Sequence, residues 1–123
     1  MPIIKVVFYQ DSENAVPVLD WIMSLEPKAQ TKCLARIKRL QQRGHELRRP
    51  EADYLRDDIY ELRVHHRRVN YRILYFFHGR RAAVLAHGIV KERRIPSQDI
   101  DRAIERKREF QHHPERHTYQ GEV

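Results

Sequence analysis

The chain has 123 residues, 41% of them hydrophobic, and a formal net charge of +7. This length fits a single domain over residues 1–123, and no apolar run approaches the length of a membrane span. The start of the chain lacks the long apolar region of a secretory signal, and the single cysteine, Cys33, cannot form an internal disulfide. We therefore expect a cytoplasmic protein with no membrane partner.

The first half of the chain predicts one strand and two helices. Residues 3–9 are rich in β-branched and aromatic side chains, which favour a strand. Apolar residues then recur at helical spacing from Ala15 to Leu25, and again over residues 28–43. Residues 44–58 are polar and contain a proline, so we predict a loop there.

The middle of the chain predicts a three-stranded antiparallel sheet. Residues 59–65 alternate between apolar and polar, residues 69–77 are almost continuously apolar, and residues 82–91 are small and aliphatic. The continuous apolar stretch indicates that the sheet is covered on both faces for part of its length.

A last helix and a tail complete the chain. Pro96 and Ser97 begin the helix, and the tail over residues 112–123 contains Pro114 and is expected to fray. The order is therefore an N-terminal strand, two helices, a three-stranded antiparallel sheet and a C-terminal helix. This order predicts an α+β fold.

The positive charge is concentrated in one stretch. Residues 59–94 contain nine basic and two acidic residues, whereas the rest of the chain holds fifteen of each. The whole excess of seven therefore falls within this stretch, and a polyanion such as nucleic acid is its natural partner. Arg67 and Arg68 lie in the turn between two predicted strands. We expect this pair to be solvent-exposed and to contact nucleic acid.

Two arginines lie in the middle of predicted strands. Side chains alternate along a strand, and an even-length turn around Arg67 and Arg68 matches the apolar faces of the two strands. That register places Arg63 directly opposite Arg72. Like charges opposite each other destabilise a sheet, so the loss of Arg72 is expected to be neutral or stabilising. Either Glu61 or an anionic ligand would offset the repulsion.

The third strand adds further residues to the same face. With a tight turn at residues 79–80, His87 lies opposite Arg72, and Leu85 shares their face. One end of the face then forms a cationic pocket suited to phosphate, because guanidinium groups donate paired hydrogen bonds. We expect the last helix to cover the other, apolar end. The candidate catalytic residues are Arg63, Arg72, His87 and Lys91.

This basic face is better equipped to bind phosphate than to transfer protons. Acid–base chemistry on a phosphate ester requires a base, an acid and cations that stabilise the charged phosphate. Arginine suits only the last role, whereas His87 or His65 could act as base or acid because histidine titrates near neutrality. The histidines near the end of the chain lack a cysteine or carboxylate framework, so we expect neither a metal nor any other cofactor. A non-catalytic nucleic-acid-binding or regulatory protein would use the same face without turnover.

Three segments carry a family resemblance. They read LRDDIYELR, then YRILYFF, then LAHGIVKERRIPSQDIDRAIERK. Together they resemble the RelE/HigB-like toxins of bacterial toxin–antitoxin systems, in the phage-derived HigB-like branch, and the likeness extends from the first strand to about Arg108. The resemblance implies a RelE-like, microbial ribonuclease-like fold.

The resemblance also implies an activity, partners and site residues. Members of that family cut messenger RNA within the ribosomal A site, and a helical antitoxin, often of the helix-turn-helix type, neutralises them. Operator DNA would be reached only through the antitoxin complex. By position, Arg63, Arg72 and Lys91 match the family's basic residues, and Arg93 or Arg94 would be a further phosphate contact.

Overall fold

The computed structural model describes residues 3–90 and 93–120. A five-stranded mixed sheet carries two helices on one face and one on the other. The strands are β1 (Lys5–Phe8), β2 (Ala52–Arg56), β3 (Ile59–His66), β4 (Val69–His78) and β5 (Ala82–Val90). The helices are α1 (Pro17–Met23), α2 (Pro27–Arg43) and α3 (Ser97–His112), and a 3₁₀ turn covers Gly44–Glu46.

The α+β class is confirmed, but the prediction of a three-stranded antiparallel sheet is wrong. The strand order is β1-β5-β4-β3-β2, with β1 parallel to β5 and the other pairs antiparallel. Strand β2 lies within residues 44–58, which we predicted as loop. It is a short edge strand, and its mixture of charged and apolar residues, ADYLR, follows no clear apolar alternation. Only its pairing with β3 reveals it as a strand.

The helices on the first face differ in detail from their predicted extents. Helix α1 begins at Pro17 and ends at Met23, so Leu25 lies beyond it. Helix α2 begins with a proline in its first turn, a position that needs no backbone N–H. Its predicted apolar stripe is buried at four positions, while Leu34 is 41% exposed. The buried positions are Ala29, Cys33, Ile37 and Leu40.

Both faces of the sheet are covered, as the apolar character of β4 predicted. Leu62 and Ile73 pack with α1 and α2 in one cluster. Leu74 and Phe76 pack on the other face, against α3 residues such as Phe110. Helix α3 therefore covers the apolar end of this second face. Within the described residues, no helix is long and apolar enough to cross a bilayer.

The tail does not fray over the residues that the structure describes. The backbone N–H of Tyr119 donates to the carbonyl of Phe8, and that of Gln10 donates to the carbonyl of His117. The His117 ring is buried and stacks on Tyr9 at a centroid distance of 5.3 Å. These contacts hold the tail against β1, so the proline did not mark the end of ordered structure. Residues 121–123 lie outside the described residues.

Candidate nucleic-acid interface

The turn between β3 and β4 fixes the position of both central arginines. Arg67 and Arg68 have φ values of 50° and 66°. A type I′ hairpin turn requires positive φ values at both of its central residues. The turn has two residues, and the resulting register places Arg63 opposite Arg72. The predicted register is confirmed.

Glu61 supplies the charge that offsets the two opposed arginines. An Arg72 Nη1 donates to Glu61 Oε1 at 2.5 Å, and the two side chains are only 9% and 7% exposed. Removing one member of a buried ion pair leaves the other charged and desolvated, which is strongly destabilising. This pair reverses the expectation that the loss of Arg72 would be neutral or stabilising.

Arg63 is in a different environment from the arginine opposite it. Its side chain is half-buried, and within the described residues it has no ion pair. Its backbone carbonyl accepts a hydrogen bond from Arg36 Nη1 at 2.8 Å. A hydrogen bond from Arg49 lowers the pKa of the Asp53 carboxyl, and the charge of Arg63 contributes to the same shift. Arg63 is therefore a cation that can accept an anionic ligand.

The predicted pairing of His87 with Arg72 is wrong. The turn between β4 and β5 has three residues, because His78 pairs with Ala82. This reverses the facing of β5 near the turn, so Leu85 lies on the opposite face from Arg72. A bulge then shifts the register, and His87 pairs with Leu74 while Ile89 pairs with Arg72.

His87 is engaged by α3 rather than open to solvent. Its Nε2 lies 2.8 Å from Asp99 Oδ1, and its Nδ1 lies 3.3 Å from Arg106 Nη1. Because Arg106 can only donate, Nδ1 accepts, and Nε2 carries the proton and donates to Asp99. Burial lowers the pKa of His87, with the positive charge of Arg106 acting in the same direction. The imidazole is therefore neutral at pH 7, with both nitrogens in use.

The exposed predicted contacts gather at one end of the sheet. Arg67 and Arg68 are exposed in the β3–β4 turn, and Arg93 and Arg94 are exposed after β5, which ends beside the start of β4. His65 is also exposed, and its Nδ1 lies 2.9 Å from an oxygen of the Asn70 side chain. We call the four arginines the basic end. Lys91 lies outside the described residues.

Several polar residues near Arg63 were missed by sequence reasoning. Glu51 accepts two hydrogen bonds from Arg39, at 2.8 and 3.0 Å, and lies 3.8 Å from Arg36 Nε. The available signal was the polar face of α2, where Lys32, Arg36 and Arg39 recur at helical spacing. From the sequence we predict no site residue on α2.

The arrangement is better suited to binding phosphates than to transferring protons. The basic end and Arg63 offer guanidinium groups that donate to phosphate oxygens in pairs. Two ionisable groups near them are already engaged, Glu61 by Arg72, and His87 by Asp99 and Arg106. His65 is exposed, with its Nδ1 against the Asn70 side chain. The site provides electrostatic stabilisation, and of its two candidate acid–base histidines, the buried His87 needs a rearrangement before it can act.

Comparison with known proteins identifies the family of this chain. No curated protein sequence matches the chain significantly. The family model described as "Phage derived protein Gp49-like (DUF891)" matches residues 20–108, which is well over half of the chain and runs from α1 into α3. The chain therefore belongs to the phage-derived Gp49-like family.

Proposed function

We propose that this protein is the toxin of a type II toxin–antitoxin pair and a ribosome-dependent messenger RNA endoribonuclease of the RelE/HigB-like type. Membership of the Gp49-like family is the observation that carries the proposal, because that family is compatible with a toxin role. The likeness of the β3, β4 and β5 segments to RelE/HigB-like toxins supports the finer assignment. The element order, with a sheet between two helices and one helix, is compatible with a microbial ribonuclease-like fold.

The charges of the site support RNA as the substrate. The four arginines of the basic end are exposed, and Arg63 lies further along the same face without an acidic partner among the described residues. Phosphate contacts of this kind provide most of the affinity for a nucleic-acid backbone. In this proposal Arg63 stabilises the charged phosphate, Arg72 holds Glu61 in a buried ion pair within the sheet, and Lys91 remains a predicted catalytic residue.

The need for a ribosome follows from the state of the two candidate histidines: His87 is engaged, and His65 lies exposed in solvent, where no described residue orients an RNA against it. His87 remains the predicted base or acid, but it can act only if α3 shifts and releases it from Asp99 and Arg106. A ribosome that holds the RNA in a reactive geometry supplies positioning, which lowers a barrier by about 7–11 kcal/mol. The protein alone should therefore be a poor ribonuclease.

Primer extension on translating ribosomes tests this proposal. Purified protein should cut messenger RNA on ribosomes in the presence of EDTA concentrations that leave ribosomes intact, and should leave the same RNA uncut when ribosomes are absent. Arg63→Ala should abolish most of the cutting while the protein stays folded. Equal cutting of naked RNA would refute ribosome dependence, and no cutting in either case would refute the enzymatic assignment.

A non-catalytic nucleic-acid-binding or regulatory role is the second candidate. The engagement of Arg72 by Glu61 and of His87 by Asp99 favours it, because a binding protein has no need of free acid–base groups. In that case the protein would bind RNA or ribosomes and slow translation without producing new RNA ends. Primer extension and ribosome pelleting together separate the two roles.

The proposed partner is an acidic antitoxin, of the helix-turn-helix type, that covers the Arg63 face or displaces α3. Operator DNA would be bound only by the complex. Electrostatic pairing speeds association and makes it salt-sensitive. Arg63→Glu should therefore slow association at low ionic strength. An unchanged rate and salt dependence would place the antitoxin on another surface.

A further inference from the structure

The outer edge of β3 is open beyond the start of β2. Strand β2 begins at Ala52, opposite Leu62, so no described strand pairs with the outer side of the last four residues of β3, whose inner side pairs with β4. At Arg63 the edge is still satisfied, because the N–H donates to the Glu51 carbonyl at 2.9 Å and the C=O accepts from Arg36. The next outward-facing residue is His65. Its N–H has no acceptor within residues 3–90 and 93–120.

A basic groove lies along this open edge, between β3 and α2. Two adjoining clefts of about 300 and 330 Å³ share Arg36, Glu51 and His65 in their linings. We call them together the α2–β3 groove. Its charged lining residues are Lys32, Arg36, Arg39, Arg63 and Glu51.

The charge of the α2–β3 groove is positive even after its internal ion pairing. Arg39 binds Glu51 through two hydrogen bonds, and this bonding lowers the pKa of the Glu51 carboxyl, so the carboxylate stays ionised and neutralises Arg39. Three cations remain, on Lys32, Arg36 and Arg63. Arg36 Nε lies 3.8 Å from the Glu51 carboxylate, and Arg36 Nη1 donates to the Arg63 carbonyl. These contacts do not use all the donors of the Arg36 guanidinium, so Arg36 can still bind a phosphate.

The shape of the groove fits a strand better than a single anion. From Lys32 to Arg36, the two cations of α2 that remain, the helix rises about 6 Å, which equals the axial length of about two nucleotides of one strand. The groove leads along β3 toward the exposed turn at Arg67 and Arg68. A positively charged groove that follows the backbone is typical of proteins that bind single-stranded nucleic acid.

We propose that the α2–β3 groove binds the phosphate backbone of single-stranded RNA, with Arg36 and Lys32 as its principal contacts. The exposed His65 N–H adds a neutral donor to the same phosphates. The inference rests on the proposed function and extends it, because it carries the RNA from the basic end onto a helix face that the family resemblance did not assign.

Two lysines of α2 provide a matched pair for the test. Lys28 and Lys32 are both exposed and lie one helical turn apart, but only Lys32 lines the groove. Binding of a short, labelled, 2′-O-methylated RNA is measured by fluorescence anisotropy at several salt concentrations, so that cleavage does not contribute. Lys32→Gln should weaken binding about threefold, and Arg36→Gln about tenfold. Each should reduce the salt slope by about 0.7, and Lys28→Gln should do neither.

Several outcomes would overturn the inference. The inference fails if the wild-type protein does not bind the RNA at low salt. It also fails if Lys28→Gln and Lys32→Gln have equal effects, because only net charge would then matter. Inorganic phosphate that competes fully at the same total phosphate concentration would indicate a lone anion site. Equal binding of a poly-glutamate of the same length would reassign the groove to an acidic protein segment.

The test is separable from that of the proposed function. Groove variants that lose RNA affinity while wild-type protein cuts no RNA on ribosomes would support the groove and refute the enzymatic activity. Groove variants that bind RNA like the wild type while the wild-type protein cuts on ribosomes would refute the groove alone.

Discussion

Arg72→Ala should remove a large fraction of this protein's free energy of unfolding, although Arg72 is also a predicted catalytic residue. The substitution leaves Glu61 charged and 7% exposed in its side chain, with its hydrogen-bond donor removed. Breaking a buried ion pair from one side costs about 3–5 kcal/mol. A domain of this size has a free energy of unfolding of about 5–15 kcal/mol, so the loss is a substantial part of the total.

Urea denaturation followed by circular dichroism measures this loss. With a slope of about 2 kcal/mol per molar urea, the unfolding midpoint should fall by about 2 M. Arg63→Ala is the matched control, because Arg63 lies directly opposite in the sheet but has no ion pair in the described part of the chain. Its cost should be below about 1 kcal/mol.

A double substitution distinguishes the ion pair from simple packing. Replacing Glu61 with Leu and Arg72 with Met removes both charges and keeps similar volumes, so most of the stability lost in Arg72→Ala should return. The reasoning is refuted if Arg72→Ala stays within about 1 kcal/mol of wild type, or if the double variant is as unstable as Arg72→Ala.

Three further predictions concern the titration of His87, the packing of Gly88 against Trp21, and the tail. Burial lowers the pKa of His87 below 6.5, so the unfolded chain binds a proton that the folded state does not. The free energy of unfolding should therefore fall as the pH drops below this value, and His87→Gln should flatten that part of the profile in urea titrations at several pH values. In Gly88→Ala the new Cβ would lie 2.3 Å from Trp21 Cδ2, so thermal denaturation should show a loss of about 1–3 kcal/mol that Trp21→Leu partly recovers. An unchanged melting temperature would mean that the indole moves without cost. His117→Ala should cost about 2 kcal/mol, because it removes a buried ring stack and a hydrogen bond to the Gln10 carbonyl. The exposed His113→Ala should cost less than about 0.5 kcal/mol, and equal effects of the two would mean that the tail does not stabilise the sheet.

Local patterns in the sequence determined the α+β class and the pairing of β3 with β4. The two-residue turn at Arg67 and Arg68 closes two strands whose apolar faces match in only one register. Since a one-residue slip would move every apolar side chain to the opposite face, the alternation decides which faces match, and the two-residue turn then places Arg63 opposite Arg72. The apolar stripe of α2 was equally readable, because helical spacing is a local property.

The partners of the candidate site residues could not be read in the same way. The sequence offered two partners for Arg72, Glu61 or an anionic ligand, and alternation placed Glu61 on the same face as Arg72. Only the structure shows that both side chains are buried, and this burial identifies Glu61 as the partner. The availability of Arg36 and Lys32 beside β3 depends on how α2 packs across the sheet. Side chains that are far apart in the sequence meet only through packing.

The tertiary structure alone decided the facing of β5 and the state of His87. A three-residue turn reverses the facing of the strand, and a bulge near His87 restores it, so no single turn length gives the observed register. Strand β2 forms because β3 offers it a ladder of hydrogen bonds, although its own five residues are too few and too mixed to show a strand pattern. Helix α3 then crosses the end of β5 and places Asp99 and Arg106 on the two nitrogens of His87. The alternation of side chains is a local property and can be read from the sequence. The loops, bulges and helix packing that determine which side chains are in contact depend on the free energy of the whole packed chain.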